Sequence, residues 1–219
     1  MLLWENRAFE DGSSIIIGMD EAGRGPLAGP VVAVAVILSP QNSREFTFPE
    51  YKERIDDSKK LSASQRERSY REILKKSLFG LGIKNRRFID KKNIHTATLA
   101  AMSDAVKDLI EKYCRLKGKE ESDIRNDICV LVDGNCKPPL PYRIIPIVNG
   151  DSKSLSVAAA SIIAKVERDR MMTAYDKTYP LYGFSRHKGY GTRLHFEALE
   201  MYGPCAIHRR SFTLTRSTK

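Results

Sequence analysis

Four short runs rich in β-branched and apolar residues punctuate the chain: Ser14 to Gly18, Val31 to Leu38, Ile128 to Val132 and Arg143 to Val148. A weaker fifth spans Leu78 to Ile83. Their lengths and composition predict strands. Between and after them, apolar positions recur at helical spacing in "SASQRERSYREILKKSL" from Ser62, "NIHTATLAAMSDAVKDLIEKYC" from Asn93 and "SLSVAAASIIAKVERDRMMTAY" from Ser154, each opening near a capping residue. The order is an early hairpin of two or three strands, then helix and strand in alternation, then a largely helical last third. That order predicts an α/β fold, a mixed sheet covered by helices. The polar segment "RLKGKEESDIRND" from Arg115 reads as an exposed loop that lengthens one crossover. No repeat or linker divides the chain. Residues 179–219, rich in turn residues and bases, are expected to wrap the edge of a 1–178 core as a lobe of a single structural unit.

Between the first two runs lies "GMDEAGRGPLAGP", Gly18 to Pro30. Its four glycines, two prolines and paired acids predict irregular chain from Gly18 onward. Adjacent strand residues face opposite ways, so Asp20 and Glu21 reach one site only if the chain turns there. Two more acids stand where apolar runs stop: Asp133 after "ICVLV", and Asp151 after "RIIPIV" and an Asn-Gly turn. Singly, these acids read as a bend, a turn and a helix cap. Jointly they read as a constellation, because neighbouring strand ends converge and like charges gathered together need a cation between them. Oxygen ligands without histidine or cysteine suit Mg²⁺ or Mn²⁺.

Charge sharpens the picture. The 219 residues carry a formal net charge of +10, which favours a polyanionic partner. No apolar run approaches a membrane span, and "MLLWENRAFEDG" has acids where a leader peptide needs an apolar core, so the expectation is a cytoplasmic protein with no membrane partner. The four cysteines form no CxxC pair, and the four histidines complete no zinc spacing. Nothing in the pattern argues for an oligomer, leaving a monomer. "GRGPLAG" fits neither a dinucleotide fingerprint nor a Walker loop, since Pro26 and Pro30 and then a strand follow it; its glycines leave room for a backbone or a sugar. Lys59, Lys60 and Ser58 of "DDSKKLS" suit phosphate oxygens, or a solvated helix cap. Arg186, Lys188 and Tyr190 of "SRHKGYGT" suit a nucleotide stacked among bases, or a tight turn. "HRRSF", His208 to Phe212, is a further basic cluster, weak by itself.

Taken in order from Ile15 to Phe212, "GMDEAGRGPLAGPV", "DDSKKLS", "NIHTATLAAM", "VDGN", "GDSKSLSVAAASIIAKVERDRMM", "YPLYGFSRHKGYGT" and "HRRSF" resemble ribonuclease HII. The resemblance implies a ribonuclease H-like fold with a central mixed five-stranded sheet and a helical C-terminal lobe. It implies an endonuclease that cuts the RNA strand of RNA/DNA hybrids and the 5' side of single ribonucleotides in duplex DNA. The products would be 3'-hydroxyl and 5'-phosphate ends, with a role in ribonucleotide excision repair and primer removal. The family's catalytic, metal-holding acids fall on Asp20, Glu21, Asp133 and Asp151, serving two Mg²⁺ or Mn²⁺ ions. Its ribose-reading turn falls on Gly23, Arg24 and Gly25, its junction-sensing tyrosine on Tyr190, and other substrate contacts on Ser58, Lys59, Lys60, Asn93, Arg186 and Lys188. Arg24, and the lack of room for an extra N-terminal domain, favour this family over ribonuclease HIII. The first dozen residues and the charged segment 115–127 depart from the pattern and carry no expected catalytic weight.

Overall fold

The computed structural model describes residues 1–38 and 50–215, so the last four residues of the expected lobe lie outside the described part. The elements are α1 (Leu3–Glu10), β1 (Ile15–Ala22), β2 (Val31–Ile37), α2 (Ala63–Lys76), β3 (Leu78–Lys84), α3 (Arg86–Lys92), α4 (Ile94–Lys117), α5 (Glu121–Ile124), β4 (Ile128–Asp133), β5 (Arg143–Ile147), α6 (Leu155–Thr178), α7 (Phe184–His187) and α8 (Arg193–Tyr202). The strands form one mixed sheet in the order β3-β2-β1-β4-β5. β1 and β2 make the antiparallel hairpin that β3 extends, while β1, β4 and β5 run parallel. The α/β expectation holds.

Both faces of the sheet are covered, which is why its central strands read as continuous apolar runs rather than alternating ones. Ile15, Ile17 and Met19 of β1, Ala33 and Ala35 of β2, and Val130 and Val132 of β4 pack against Ala97, Ala101, Ala105 and Leu109 of α4. On the other face Val34 and Val36 meet α2 and α6, and Ile16, Cys129 and Leu131 meet Ala8 and Val157. Small residues set the spacing. A Cβ on Gly82 of β3 would lie 1.8 Å from the Ala101 carbonyl oxygen, so α4 rests directly on that strand's backbone. The same glycines made β3 the faintest strand in the sequence. α6 is apolar around nearly its whole circumference from Val157 to Ala164, as befits a helix between the sheet, α2 and α7. Each large aliphatic side chain buried there contributes roughly 1.5–3 kcal/mol.

Two expectations are corrected. β1 does not end at Gly18 but runs through Asp20 and Glu21 to Ala22, because those residues pair with Val34, Ala33 and Val32 of β2. A complete backbone ladder outweighs their poor strand propensity. The charged segment after Arg115 is not a plain loop: α4 continues to Lys117 and ends on Gly118 in the left-handed conformation (φ 61°), and α5 and a 3₁₀ turn (Arg125–Asp127) follow. Ile124, fully buried, pins this excursion to the core beneath α4.

No helix among the described residues is long and apolar enough to cross a membrane. All four cysteines are free thiols.

Candidate active site

Three parallel neighbours, β1, β4 and β5, deliver the acids at their C-terminal ends. Asp20 lies two residues before the end of β1, Asp133 is the last residue of β4, and Asp151 sits in a 3₁₀ turn (Gly150–Ser152) just beyond β5. Met19 pairs with Val132 across the parallel ladder, so Asp20 and Asp133 follow side by side on the face covered by α6. One carboxylate oxygen from each of Asp20, Asp133 and Asp151 lies within 4.8 Å of the other two. Asp20 and Asp151 are buried and Asp133 is half-buried.

Each acid is held. Asp20 Oδ1 accepts from the Glu21 backbone N–H at 2.7 Å, and the Ser161 hydroxyl of α6, near its carboxylate, favours the charged form. Asp133 Oδ1 accepts from the Gly150 N–H at 2.6 Å, which couples the end of β4 to the turn carrying Asp151. Asp151 Oδ2 meets the Lys59 ammonium at 3.4 Å. Lys59 is largely exposed, so that ion pair contributes little.

Burial pushes the Asp20 carboxyl well above the usual range, and the charges of Glu21 and Asp133 push it further. Asp151 is raised by burial and then by Asp133 and Asp57, with Lys59 pulling the other way. Carboxylates so packed resist ionising together unless a cation joins them. The oxygen-only donor set is that of a hard divalent ion.

Glu21 is not part of the cluster. Because the strand continues straight through it, its side chain leaves on a different course and accepts from Arg24 Nη1 at 3.1 Å. Burial raises its carboxyl, against the pull of Arg24. Glu21 acts on Asp20 through its backbone N–H and through its charge.

The turn at Gly23, Arg24 and Gly25 is fixed from behind by two buried arginines, Arg168 and Arg209, whose roles no spacing in the sequence marks. Arg209 donates to the carbonyls of Gly29 (3.0 Å), Arg24 (2.9 Å), Gly23 (2.6 Å) and Pro30 (3.2 Å). Arg168 donates to Pro30 (3.0 Å), Lys188 (3.1 Å) and Ala28 (3.2 Å). Burial lowers both guanidinia, Arg209 to about 9. Gly23 has φ +98°, and a Cβ there would stand 2.0 Å from Arg168 Nε. The "HRRSF" cluster thus works inward through Arg209, a role invisible without the fold.

Tyr190 joins this turn. Its ring is partly exposed, close enough to Gly25 that a Cβ there would touch Cε1 at 4.0 Å, and Lys165 and Arg168 lie over it at 5.8 Å from its centre. Its backbone is anchored by buried histidines. The Cys205 N–H donates to His208 Nδ1 (2.9 Å), so His208 carries its proton on Nε2 and donates to His195 Nε2 (2.9 Å). His195 therefore donates from Nδ1 to the Tyr190 carbonyl (2.9 Å). Burial holds both rings neutral, lowering each to about 4.

The remaining expected contacts scatter in task. Ser58 is buried, its hydroxyl 2.9 Å from that of Ser161 rather than open to solvent. Lys60 is exposed beside Asp56 at 3.4 Å, and Arg186 is exposed. Lys188 turns its ammonium to Thr173 Oγ1 (2.9 Å) and the Ser185 carbonyl (2.6 Å). Asn93 caps α4, accepting from the Thr96 N–H at 2.9 Å. Ser161, like the arginines, was missed; a lone hydroxyl inside "AAASIIA" was its only trace in the sequence.

A mixed sheet whose three adjacent parallel strands end in convergent carboxylates defines the class: a ribonuclease H-like, metal-dependent nuclease. The ribonuclease HII family profile matches residues 17–215. Ribonuclease HII of Caldanaerobacter subterraneus subsp. tengcongensis is 48% identical over 213 residues, spanning 97% of this chain and 79% of that one. Ribonuclease HII of Syntrophus aciditrophicus is 48% identical over 217 residues, 99% of this chain and 92% of that one. The fold is shared with the ribonuclease HII of Archaeoglobus fulgidus solved in complex with PCNA (TM-score 0.63, 23% identity, 93% of this chain and 98% of that one). It is shared also with Bst-RNase HIII solved with Mn²⁺ (TM-score 0.66, 18% identity, 95% and 70%). The chain belongs to the ribonuclease HII family. It is a divalent-metal-dependent endonuclease acting on nucleic acid, and the family's reaction is cleavage of the RNA strand of RNA/DNA hybrids.

Proposed function

We propose that this enzyme cuts RNA/DNA hybrids and also nicks duplex DNA on the 5' side of a single embedded ribonucleotide, leaving 3'-hydroxyl and 5'-phosphate ends, as ribonucleotide repair and primer removal require. The observation that carries the reading is the juxtaposition of the Asp20, Asp133 and Asp151 oxygens, within 4.8 Å of one another, with a chain that holds Tyr190 beside the Gly23–Gly25 turn.

Asp20, Asp133 and Asp151 would hold the Mg²⁺ or Mn²⁺ ions, two during catalysis, with the Glu21 backbone beside Asp20. Bound ions supply an activated water and neutralise charge on the phosphate and the leaving 3'-oxygen. The protein's own residues do the rest. The Gly23, Arg24 and Gly25 turn brings bare backbone and a guanidinium to the ribose, whose 2'-hydroxyl alone separates RNA from DNA at a given residue. Tyr190 offers a face on which the sugar or base at the RNA–DNA junction stacks. Lys59, beside Asp151, draws the phosphate in. Residues 1–178 act as the catalytic core and 179–219 as the substrate-binding lobe, in a cytoplasmic monomer.

The test is a labelled duplex carrying one ribonucleotide, beside a continuous hybrid and an all-DNA control, incubated with Mg²⁺, Mn²⁺ or chelator. Expected is a metal-dependent cut 5' of the ribonucleotide and cleavage of the hybrid. Cleavage of the all-DNA control would reassign the chain to a resolvase-like chemistry, and tight binding without any cut would make it a binding module.

A further inference from the structure

The opening helix, which the sequence pattern left without a task, lies against the first turn of α6. Glu5 is completely buried there. Its Oε1 accepts from the Ser154 hydroxyl (2.6 Å), the Ser156 N–H (2.9 Å) and the Ser156 hydroxyl (2.9 Å), while its Oε2 is buried with no hydrogen-bond partner. The Met1 carbonyl accepts from the Leu155 N–H at 2.9 Å. The first N–H groups of a helix have no partner within it. Here two of them are met by residues some 150 positions earlier in the chain, and Ser154 itself serves the Val157 N–H at 3.2 Å.

The same turn touches the acidic cluster from two directions. The Lys153 and Ser154 N–H groups donate to the Gly150 carbonyl (2.9 and 2.8 Å), and the Gly150 N–H donates to Asp133 Oδ1 (2.6 Å), so the turn that carries Asp151 is strung between α6 and β4. Ser156 also presses on β1: a Cβ on Gly18, two residues before Asp20, would lie 2.1 Å from the Ser156 carbonyl carbon. Ser154 and Ser156 are thus the joint through which the spacing of all three acids is set, and Glu5 grips both.

We propose that Glu5 is a positioning residue for the divalent-metal centre: by anchoring the first turn of α6 it holds Asp151, Asp133 and Asp20 at the separation an ion requires. The inference rests on the reading of those three acids as the metal ligands. Glu5 touches neither metal nor substrate. It acts on affinity for the ion through the turn, as residues that orient a ligand do, and their loss typically costs about 10- to 100-fold in metal affinity or activity.

The experiment measures Mn²⁺ binding to the full chain without nucleic acid, by electron paramagnetic resonance of the free ion, for the parent, Glu5→Ala, Glu5→Gln and Asp133→Asn, alongside thermal melts in chelator. Glu5→Ala is expected to weaken Mn²⁺ binding about tenfold. Glu5→Gln keeps an acceptor at Oε1 but sets an amide where Oε2 has no partner, so it is expected to fall between Ala and the parent; it also serves if the alanine variant does not fold. A lowered melting temperature with Mn²⁺ affinity unchanged in both variants would reduce Glu5 to a structural cap and overturn the proposal. Unchanged affinity in Asp133→Asn would instead sink the metal assignment beneath it, so the two failures are told apart.

Discussion

Replacing Asp20 by Asn should abolish catalysis and yet make the metal-free protein more stable. The three carboxylates crowd within 4.8 Å with Lys59, largely exposed, as the cation on Asp151. At an effective dielectric of about 20, a pair of unit charges at that separation repels by roughly 3.5 kcal/mol. The protein relieves part of this by taking up a proton, which is what the raised Asp20 carboxyl expresses. Asn keeps one oxygen to accept the Glu21 N–H, so the substitution forfeits little bonding, and a net gain of about 1–2 kcal/mol remains. For a chain of this size that is a rise of about 3–6 °C in melting temperature.

The effect has a definite pH dependence. Because Asp20 is raised in the folded state, the folded protein binds its proton more readily than the unfolded chain does. The stabilisation from that proton is complete below the ordinary aspartate range and is lost as pH rises through the raised value. The advantage of Asn should therefore be largest near pH 8 and shrink toward pH 4. Thermal melts of both proteins in chelator, across that range, make the measurement. Adding Mn²⁺ should raise the parent's melting temperature and leave that of the variant nearly still. If the variant melts at or below the parent at pH 8 in chelator, the crowding of charge assigned to this cluster is wrong.

Gly23→Ala sets a Cβ 2.0 Å from Arg168 Nε at φ +98°, and it should cost roughly 2–5 kcal/mol in urea unfolding, combining backbone strain with overpacking; a loss under 1 kcal/mol would refute the account of the turn. Tyr190→Ala should lower cleavage at single ribonucleotides more than cleavage of continuous hybrids, and equal losses would remove it from junction sensing. Nitrogen-15 spectra should show His195 protonated on Nδ1 and His208 on Nε2, with neither ring titrating above about pH 5, given values lowered to about 4. Rings that stay neutral on folding make the protein lose stability as pH falls from about 6.5 toward 4, and a normal titration near 6.5 would contradict the burial assigned to them.

Much of the fold was legible because burial on both faces writes itself as uninterrupted apolar runs, as in Val31 to Ile37 and Ile128 to Val132. The acids were legible for a related reason: each stands where such a run stops. Glu21 shows the limit, since a residue-by-residue reading could not know that β2 would keep the chain extended and send its carboxylate to Arg24. The roles of Ser161, Arg168 and Glu5 were not legible, and Arg209 showed only as one base of "HRRSF". Apart from the Lys188 carbonyl bound by Arg168, the backbone groups and hydroxyls these residues meet lie more than a hundred residues away, and such contacts leave no local spacing to find.

The two arginines behind the glycine turn have carbonyl oxygens as partners, with no carboxylate among the bonds they make. Asp169 and Asp90 act on Arg168 and Arg209 only through space, so the arginines' positive charge is cancelled in part, and it lies behind the turn on which a polyanion is proposed to rest. Mobile ions screen charges at a solvated surface far better than charges inside the protein. On the proposed substrate contacts, part of the pull on a phosphate backbone would be sheltered from ionic strength, where the pull of Lys59 and Lys60 would not. In the proposed complex, a duplex slipping along the surface lysines in rising salt would keep its grip longest over Gly23 and Arg24, the turn proposed to read the ribose.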